Sequence, residues 1–168
     1  MKDNITLIGM PGSGKSTVGV LLAKRLGYKF IDTDLLIQER EEKRLYEIMR
    51  DSGNEYFLKV ENEVNASVDT RHTVIATGGS AVFGEDAMKH FSEIGKIVYI
   101  RVPFEVLRER IKDFSTRGIL MRNGQTLEDI YAERSPLYEK YADVIVDTSC
   151  DSVFENCLKI EKAINGMR

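Results

Sequence analysis

The chain has 168 residues, of which 42% are hydrophobic and 30% charged, and its net charge is −3. This composition is ordinary for a globular protein and excludes a disordered tail protein and a fibrous protein. No apolar stretch approaches the roughly 18 residues of a membrane span, and we expect neither a signal peptide nor a membrane partner. Sequence-independent binding to nucleic acid needs a basic surface, so the mildly acidic balance argues against a nucleic-acid partner.

The length predicts a single domain spanning residues 1–168, because domains average about 150 residues. The two cysteines, Cys150 and Cys157, lie seven positions apart beside a helical pattern. We interpret them as buried small side chains rather than as a disulfide or a metal-binding pair. This cysteine usage is typical of a reducing compartment, and we expect a cytoplasmic location.

Short apolar runs alternate with helical patterns in the first half of the chain. Because each apolar run is short and ends near a turn residue, three buried strands are predicted, at 5–8, 29–31 and 73–76. Apolar residues at helical spacing predict helices between the strands, over 16–26, over 35–49 as one or two helices, and over 54–68.

The same alternation continues in the second half. Residues 97–100 and 144–146 predict two more strands, and Pro103 suits the first turn of a helix. Pro136 should kink or restart the helix that precedes the last strand. Ser152 and Glu155 form a capping-box pattern that opens a terminal helix. Its inward-facing residues should be Val153, Cys157, Ile160 and Ile164.

Five strands separated by helices predict an α/β fold in three layers, a five-stranded parallel sheet with helices on both faces. One segment departs from this rhythm. Residues 112–125 are polar, contain Gly118 and Gly124, and have no hydrophobic period. A loop of that length in a compact domain is typical of a mobile lid.

The strongest motif is the run Gly-Met-Pro-Gly-Ser-Gly-Lys-Ser-Thr at residues 9–17, which matches G-x-x-x-x-G-K-[ST] between a predicted strand and a predicted helix. Glycines let backbone N–H groups turn toward phosphate oxygens, and the helix N-terminus adds partial positive charge. Lys15 should reach the β- and γ-phosphates, and the Ser16 hydroxyl should bind Mg²⁺. We expect the nucleotide to be bound by Gly12, Ser13, Gly14, Lys15, Ser16 and Thr17. The motif alone leaves open a small-molecule kinase, a nucleotide kinase, a GTPase and a nucleotide-sensing module.

An acidic pair follows the second predicted strand, at Asp32 and Asp34. Parallel strands end at one edge of the sheet, so this pair should lie near the phosphate loop. One carboxylate would organise Mg²⁺ through water, and the other would orient a hydroxyl nucleophile. Alternatively, Asp32 or Thr33 only caps the following helix.

Further residues point to the same edge of the sheet. Gly78 and Gly79 end the third strand, where paired glycines either let a ligand approach the backbone or form a plain turn. Arg134 faces the interior and needs an anionic partner, either a ligand or a structural carboxylate. In the lid, Arg117 is best placed to reach a γ-phosphate, and Arg122 and Lys112 are the alternatives.

Over nearly its whole length the chain resembles the shikimate kinase family of P-loop phosphotransferases. The resemblance rests on residues 9–17, 30–34, 53–57 with Glu61, Gly78 and Gly79, Arg117, and 133–138. It implies a monomer that transfers the γ-phosphate of ATP to the 3-hydroxyl of shikimate, in the chorismate pathway of aromatic amino acid biosynthesis.

The resemblance also implies roles for individual residues. Asp34 would bind the acceptor hydroxyls and serve as base or orienter, and Asp32 would help to hold Mg²⁺ through water. Gly79, beside Gly78, and Arg134 would contact shikimate. Two arginines would contact ATP: Arg117 would bind the phosphates from the lid, and Arg110 would lie against adenine.

Three positions depart from the family pattern. Leu58 stands where members usually carry an arginine that pairs with the shikimate carboxylate. Ser80 replaces the third glycine of a Gly-Gly-Gly motif, and the lid sequence Arg-Pro-Leu reads Arg-Gly-Ile-Leu at residues 117–120. The alternatives are therefore a kinase for a different hydroxylated metabolite without that carboxylate contact, and a non-catalytic nucleotide-binding module.

Overall fold

Two strands at the centre of the sheet are buried along their whole length. The structure is a computed structural model, and it describes residues 3–111, 118–149 and 152–166. The two central strands are β1, Asn4–Ile8, and β3, Thr73–Ala76. The other strands are β2, Lys29–Asp32, β4, Gly95–Arg101, and β5, Val144–Asp147. All pairings are parallel, in the order β2-β3-β1-β4-β5.

Seven α-helices and one 3₁₀ turn lie in the described residues. They are α1 Lys15–Leu26, α2 Thr33–Glu41, α3 Leu45–Ala66, the 3₁₀ turn Ala81–Phe83, α4 Glu85–Ile94, α5 Phe104–Arg110, α6 Leu127–Tyr141 and α7 Val153–Asn165. Successive residues of a strand point to opposite faces of the sheet, so the complete burial of β1 and β3 requires helices on both faces. The predicted three-layer α/β fold with a five-stranded parallel sheet is confirmed.

The strand register brings the candidate site residues to one edge. Asp32 pairs with Ala76, and Ala76 pairs with Leu7. The phosphate loop, the acidic pair and Gly78 therefore begin at the same level, beyond the carboxyl ends of three adjacent strands. In sheets of this kind that edge is where ligands bind.

Helix α3 consists of two helical segments that meet at a kink. The sequence predicted one helical region ending near residue 49 and another beginning at residue 54, and the kink at Gly53 lies between them. The backbone of Gly53 has φ 84° and ψ 168°, which is outside the helical region. The apolar pattern is broken there because the chain bends.

Helix α4 is the element that the sequence analysis did not identify. Its Ala87, Met88 and Phe91 are buried against the sheet. The spacing of these three residues, with Ile94 one turn further on, is helical, so the signal for this helix was present in the sequence.

Two expectations about the C-terminal helices differ from the structure. Of the kink or restart expected at Pro136, the restart does not occur, because α6 continues from Leu127 to Tyr141. The helix is anchored on both sides of the proline, where Arg134 donates to the Leu120 carbonyl and Tyr138 to the Gly79 carbonyl. In α7, Val153 is 42% exposed rather than inward-facing, because the first turn lies at the edge of a cavity.

The remaining expectations for the C-terminal half agree with the structure where it is described. Ser152 and Glu155 form the predicted capping box. Cys157 is buried and free, and Cys150 lies outside the described residues. Residues 118–125 of the predicted lid are in neither helix nor strand, and residues 112–117 lie outside the described part. No helix in the described ranges is long and apolar enough to cross a bilayer.

We expect Phe91→Ala to lower the free energy of unfolding by about 3–5 kcal/mol, because the ring is completely buried in the main core. Phe154→Ala removes the same atoms from a ring that is 49% exposed, so it should cost less than about 1.5 kcal/mol. Urea titration followed by circular dichroism measures both values. Equal losses in the two variants would contradict the assignment of α4 to the core.

Candidate active site

The phosphate loop connects β1 to α1 and depends on glycine at two of its turns. Gly14 is the N-cap of α1 with φ 89°, a left-handed conformation. A Cβ at Gly9 would lie 2.7 Å from the Ile100 carbonyl oxygen, so the loop has no space for a side chain there. Such a loop directs successive N–H groups into one concavity, which binds anions.

Lys15 is buried inside this loop. Its Nζ donates hydrogen bonds to the carbonyls of Gly9 and Met10, both at 2.8 Å, and to Ser13 Oγ at 3.3 Å. Burial lowers the pKa of Lys15 to about 8, although the carboxylates of Asp34 and Asp32 oppose that change. The lysine is held at the loop by backbone oxygens rather than by an ion pair.

Asp32 makes two contacts at once at the end of β2. Its Oδ1 accepts from the backbone N–H of Asp34 at 3.1 Å and so caps α2, while its Oδ2 accepts from Ser16 Oγ at 2.6 Å. Capping of α2 was the expected alternative to a role of Asp32 with Mg²⁺. In the structure Asp32 caps α2 and also lies beside Ser16.

The Ser16 and Asp32 pair fits a magnesium ion chemically, because hydroxyl and carboxylate oxygens are hard donors. Within the described ranges no three His, Cys, Asp or Glu side chains form a metal cluster. An ion here would therefore take its other ligands from phosphate oxygens and water, as Mg²⁺ commonly does in phosphate sites.

Asp34 lies at the start of α2 on the wall of a cavity of about 390 Å³, which we call the Asp34 cavity. Burial, and after it the negative charge of Asp32, raise the pKa of Asp34 to about 6, and Lys15 opposes the shift. A carboxylate with this pKa is ionised at neutral pH and can accept a proton from a hydroxyl group.

A second cavity, of about 410 Å³, lies on the other side of the phosphate loop. We call it the Arg110 cavity. Arg110 lines it and donates to the carbonyls of Gly12 at 3.4 Å and Ser149 at 2.8 Å. Gly12, Gly14 and Thr17 line both cavities, so the loop separates two ligand-sized spaces.

The two glycines after β3 are each required by a close contact. A Cβ on Gly78 would lie 2.7 Å from Glu61 Oε1 and 2.8 Å from Asp34 Oδ1. On Gly79 it would lie 2.6 Å from the ring of Pro11. Gly78 therefore leaves space for two carboxyl groups, and Gly79 lets the phosphate loop pack against the end of β3.

Arg134 lines the Asp34 cavity from α6 and is only 2% exposed. One of its terminal nitrogens donates to the Leu120 carbonyl, and its guanidinium lies 5.4 Å from the centre of the Phe83 ring. Its Nε has no hydrogen-bond partner. The structural ion pair that was one alternative for Arg134 does not occur among the described residues.

Glu61 and Ser80 are the site residues whose importance the sequence analysis missed. Glu61 is 2% exposed on α3, and its Oε2 accepts from Ser80 Oγ at 2.7 Å. Burial raises the pKa of Glu61 to about 8. Its position four residues after Phe57, within the buried stripe of α3, was the available signal.

Arg117 and Leu58 were also singled out in the sequence. Arg117 lies outside the described residues. Leu58 is half-buried and packs against the small apolar cluster of α3 rather than lining the Asp34 cavity. It borders a neighbouring space of about 380 Å³, which also contacts Leu120 and Arg134.

Sequence comparison places the chain among known enzymes. A shikimate kinase family model matches residues 11–165. A shikimate kinase from Clostridium botulinum strain Okra is 40% identical over 165 residues, covering 96% of this chain and 95% of that protein. One from Moorella thermoacetica is 38% identical over 166 residues, covering 98% and 95%.

Structural comparison gives the same result. A shikimate kinase from Acinetobacter baumannii in complex with shikimate superposes with a TM-score of 0.90 at 29% identity, covering 100% of this chain and 96% of that one. The enzyme from Aquifex aeolicus gives 0.83 at 35% identity, covering 98% and 97%.

These matches span nearly the full length of both partners and include the phosphate loop except its first two residues. The resemblance seen in the motifs is therefore confirmed. The chain belongs to the shikimate kinase family, and it is an ATP-dependent phosphotransferase that acts on an alcohol acceptor.

Proposed function

We propose that this chain transfers the γ-phosphoryl group of ATP to a hydroxyl of shikimate. The observation that carries the proposal is that the phosphate loop lies between two cavities. One of them contains an ionisable acid, Asp34, and a buried cation, Arg134. Such an arrangement suits two substrates that meet at the loop, since phosphoryl transfer depends mainly on positioning and charge.

ATP would bind with its nucleoside in the Arg110 cavity and its phosphates along the loop. The N–H groups at the start of α1 and the Lys15 ammonium would face the phosphate oxygens. Ser16 and, through water, Asp32 would hold a Mg²⁺ ion, which neutralises phosphate charge when bound. Binding would require Lys15 to exchange its contacts with the Gly9 and Met10 carbonyls for phosphate oxygens.

Shikimate would bind in the Asp34 cavity beside Gly78 and Gly79. Its carboxylate would meet Arg134, whose Nε has no hydrogen-bond partner. Asp34 would accept a hydrogen bond from the reacting hydroxyl. The hydroxyl oxygen then bonds to the γ-phosphorus, the bond from that phosphorus to the bridging oxygen of ADP breaks, and the hydroxyl proton passes to Asp34.

Other parts of the proposal rest on the sequence. Arg117 would contact the transferred phosphoryl group from a lid over residues 112–125. The single domain over residues 1–168, the monomeric state and the cytoplasmic location stay predictions. They do not affect the assignment of the two cavities.

A coupled ADP-release assay with a panel of hydroxylated metabolites tests the proposed function. We expect shikimate to stimulate ADP release strongly and Lys15→Met to abolish it, because the variant removes the cation from the phosphate loop. Release with a different metabolite and not with shikimate would favour another acceptor. Tight ATP binding without ADP release for any metabolite would favour a non-catalytic module.

Asp34→Asn should lower kcat by roughly a hundredfold or more, because the amide cannot accept the hydroxyl proton. ATP affinity, measured by calorimetry, should change little. In the wild type, kcat/KM should fall as the pH drops through about 6, since protonation removes the same function. Asp32→Asn is the matched control, and it should mainly increase the Mg²⁺ concentration needed for activity. Full activity of Asp34→Asn would contradict the assignment of the base.

The two adjacent glycines should give opposite kinetic effects when each is changed to alanine. The Gly78→Ala methyl group displaces the carboxyls of Asp34 and Glu61, so KM for shikimate should rise by about tenfold or more with a smaller change for ATP. Gly79→Ala pushes on Pro11 and should raise KM for ATP. Steady-state kinetics with each substrate varied in turn measures both. The same pattern in the two variants would argue against separate cavities.

A further inference from the structure

Glu61 is a buried acid of the Asp34 cavity that the proposed transfer does not use. Its Oε2 accepts from Ser80 Oγ, whereas its Oε1 is buried without a hydrogen-bond partner. No ion pair joins it to a cation in the ranges that the structure describes. An ionised carboxylate in this position is strongly disfavoured, because one of its oxygens is buried away from water and accepts no hydrogen bond. A neutral carboxylic acid avoids most of that cost.

The surrounding charges also favour a neutral Glu61. Asp34 faces it from α2 across the space above Gly78, and its charge raises the pKa of Glu61. Lys15 from α1 and Arg134 from α6 oppose that shift, as does the Ser80 hydrogen bond. The buried Tyr138 also interacts with Glu61, and it carries no charge near neutral pH. Desolvation outweighs the opposing contributions and brings the pKa of Glu61 to about 8.

The charge of Glu61 decides the charge that an acceptor meets. With Lys15 assigned to the phosphates, the described acceptor side has Arg134 as its cation and Asp34 as its anion. The charges of these two side chains cancel while Glu61 is neutral. Ionisation of Glu61 adds a second negative charge in a low-dielectric cavity, and that charge repels an anionic acceptor but hardly affects a neutral one.

We propose that Glu61, kept uncharged by its burial and positioned by the hydrogen bond from Ser80, determines the specificity of the cavity for an acceptor that carries a carboxylate. The inference rests on the proposed function, because it assumes that shikimate is the acceptor. Glu61 acts through the charge of the cavity and does not take part in the transfer of the phosphoryl group. Its charge changes KM for the acceptor.

The test is the pH dependence of KM for shikimate and for its neutral methyl ester, at saturating ATP and Mg²⁺, between about pH 6.5 and pH 9.5. KM for shikimate should rise roughly tenfold across this range as Glu61 ionises. KM for the ester should stay nearly constant. Titration of Lys15, which falls in the same range, would affect both acceptors equally and act mainly on ATP.

Three variants identify the titrating group. Glu61→Gln keeps a neutral side chain, so KM for shikimate should stay low and independent of pH. Glu63→Gln makes the same change at an exposed position of α3 that pairs with Arg40, and it should behave as the wild type. Ser80→Ala removes a hydrogen bond that lowers the pKa of Glu61, so the rise in KM should move to higher pH. Thermal unfolding checks that each variant is folded. If Glu61→Gln does not fold, the pH dependence of Ser80→Ala supplies the test.

The outcomes separate this inference from the proposed function. Turnover of shikimate with a KM that does not change with pH would overturn the role of Glu61 alone. So would an equal rise for the ester, or a rise that persists in Glu61→Gln. Absence of shikimate turnover at every pH would overturn the proposed function, and this inference with it.

Discussion

The close packing of Pro11 against Gly79 is the contact on which the rest of the site depends. It joins the loop after β1 to the loop after β3, and a single added methyl group would prevent it. Tyr138 donates to the Gly79 carbonyl at 2.5 Å, which ties α6 to the same point. Three elements that lie far apart in the sequence therefore meet at one backbone residue. The positions of the phosphate loop, Asp34 and Arg134 relative to each other follow from this junction and from the strand register.

Desolvation gives the site its chemistry. Lys15, Asp34 and Glu61 are all shifted toward neutral pH, and burial is the largest cause in each. Lys15 is easier to deprotonate than a lysine in water, and Asp34 and Glu61 are easier to protonate than acids in water. All three can therefore change charge near physiological pH. Groups with such values can exchange protons during a reaction, which fully solvated lysine and glutamate side chains do not do at neutral pH.

The sequence predicts the sheet and the phosphate loop well because both depend on local patterns. Short apolar runs mark all five strands, and the spacing from Gly9 to Thr17 requires no knowledge of distant residues. Helix α4 was missed although Ala87, Met88 and Phe91 lie at helical spacing on its buried face. The restart expected at Pro136 does not occur because contacts to Leu120 and Gly79 hold the helix on both sides. The burial of Glu61 follows from its place in the apolar stripe of α3, but its contacts with Gly78 and Ser80 come from distant parts of the chain and a helical pattern does not reveal them.

Arg134 links the Asp34 cavity to the chain segment that follows residue 117. It donates to the Leu120 carbonyl, and the Leu120 side chain is buried in the small apolar cluster with Phe57 and Val60 of α3. The Nε of the same guanidinium is buried without a hydrogen-bond partner. An arginine has several donors in a rigid plane, so it can keep the backbone contact while another donor binds an anion. The same side chain therefore lines the Asp34 cavity and holds the backbone of Leu120. A substitution at Arg134 therefore disturbs both, which makes residues such as Glu61 and Gly78 better probes of the acceptor alone.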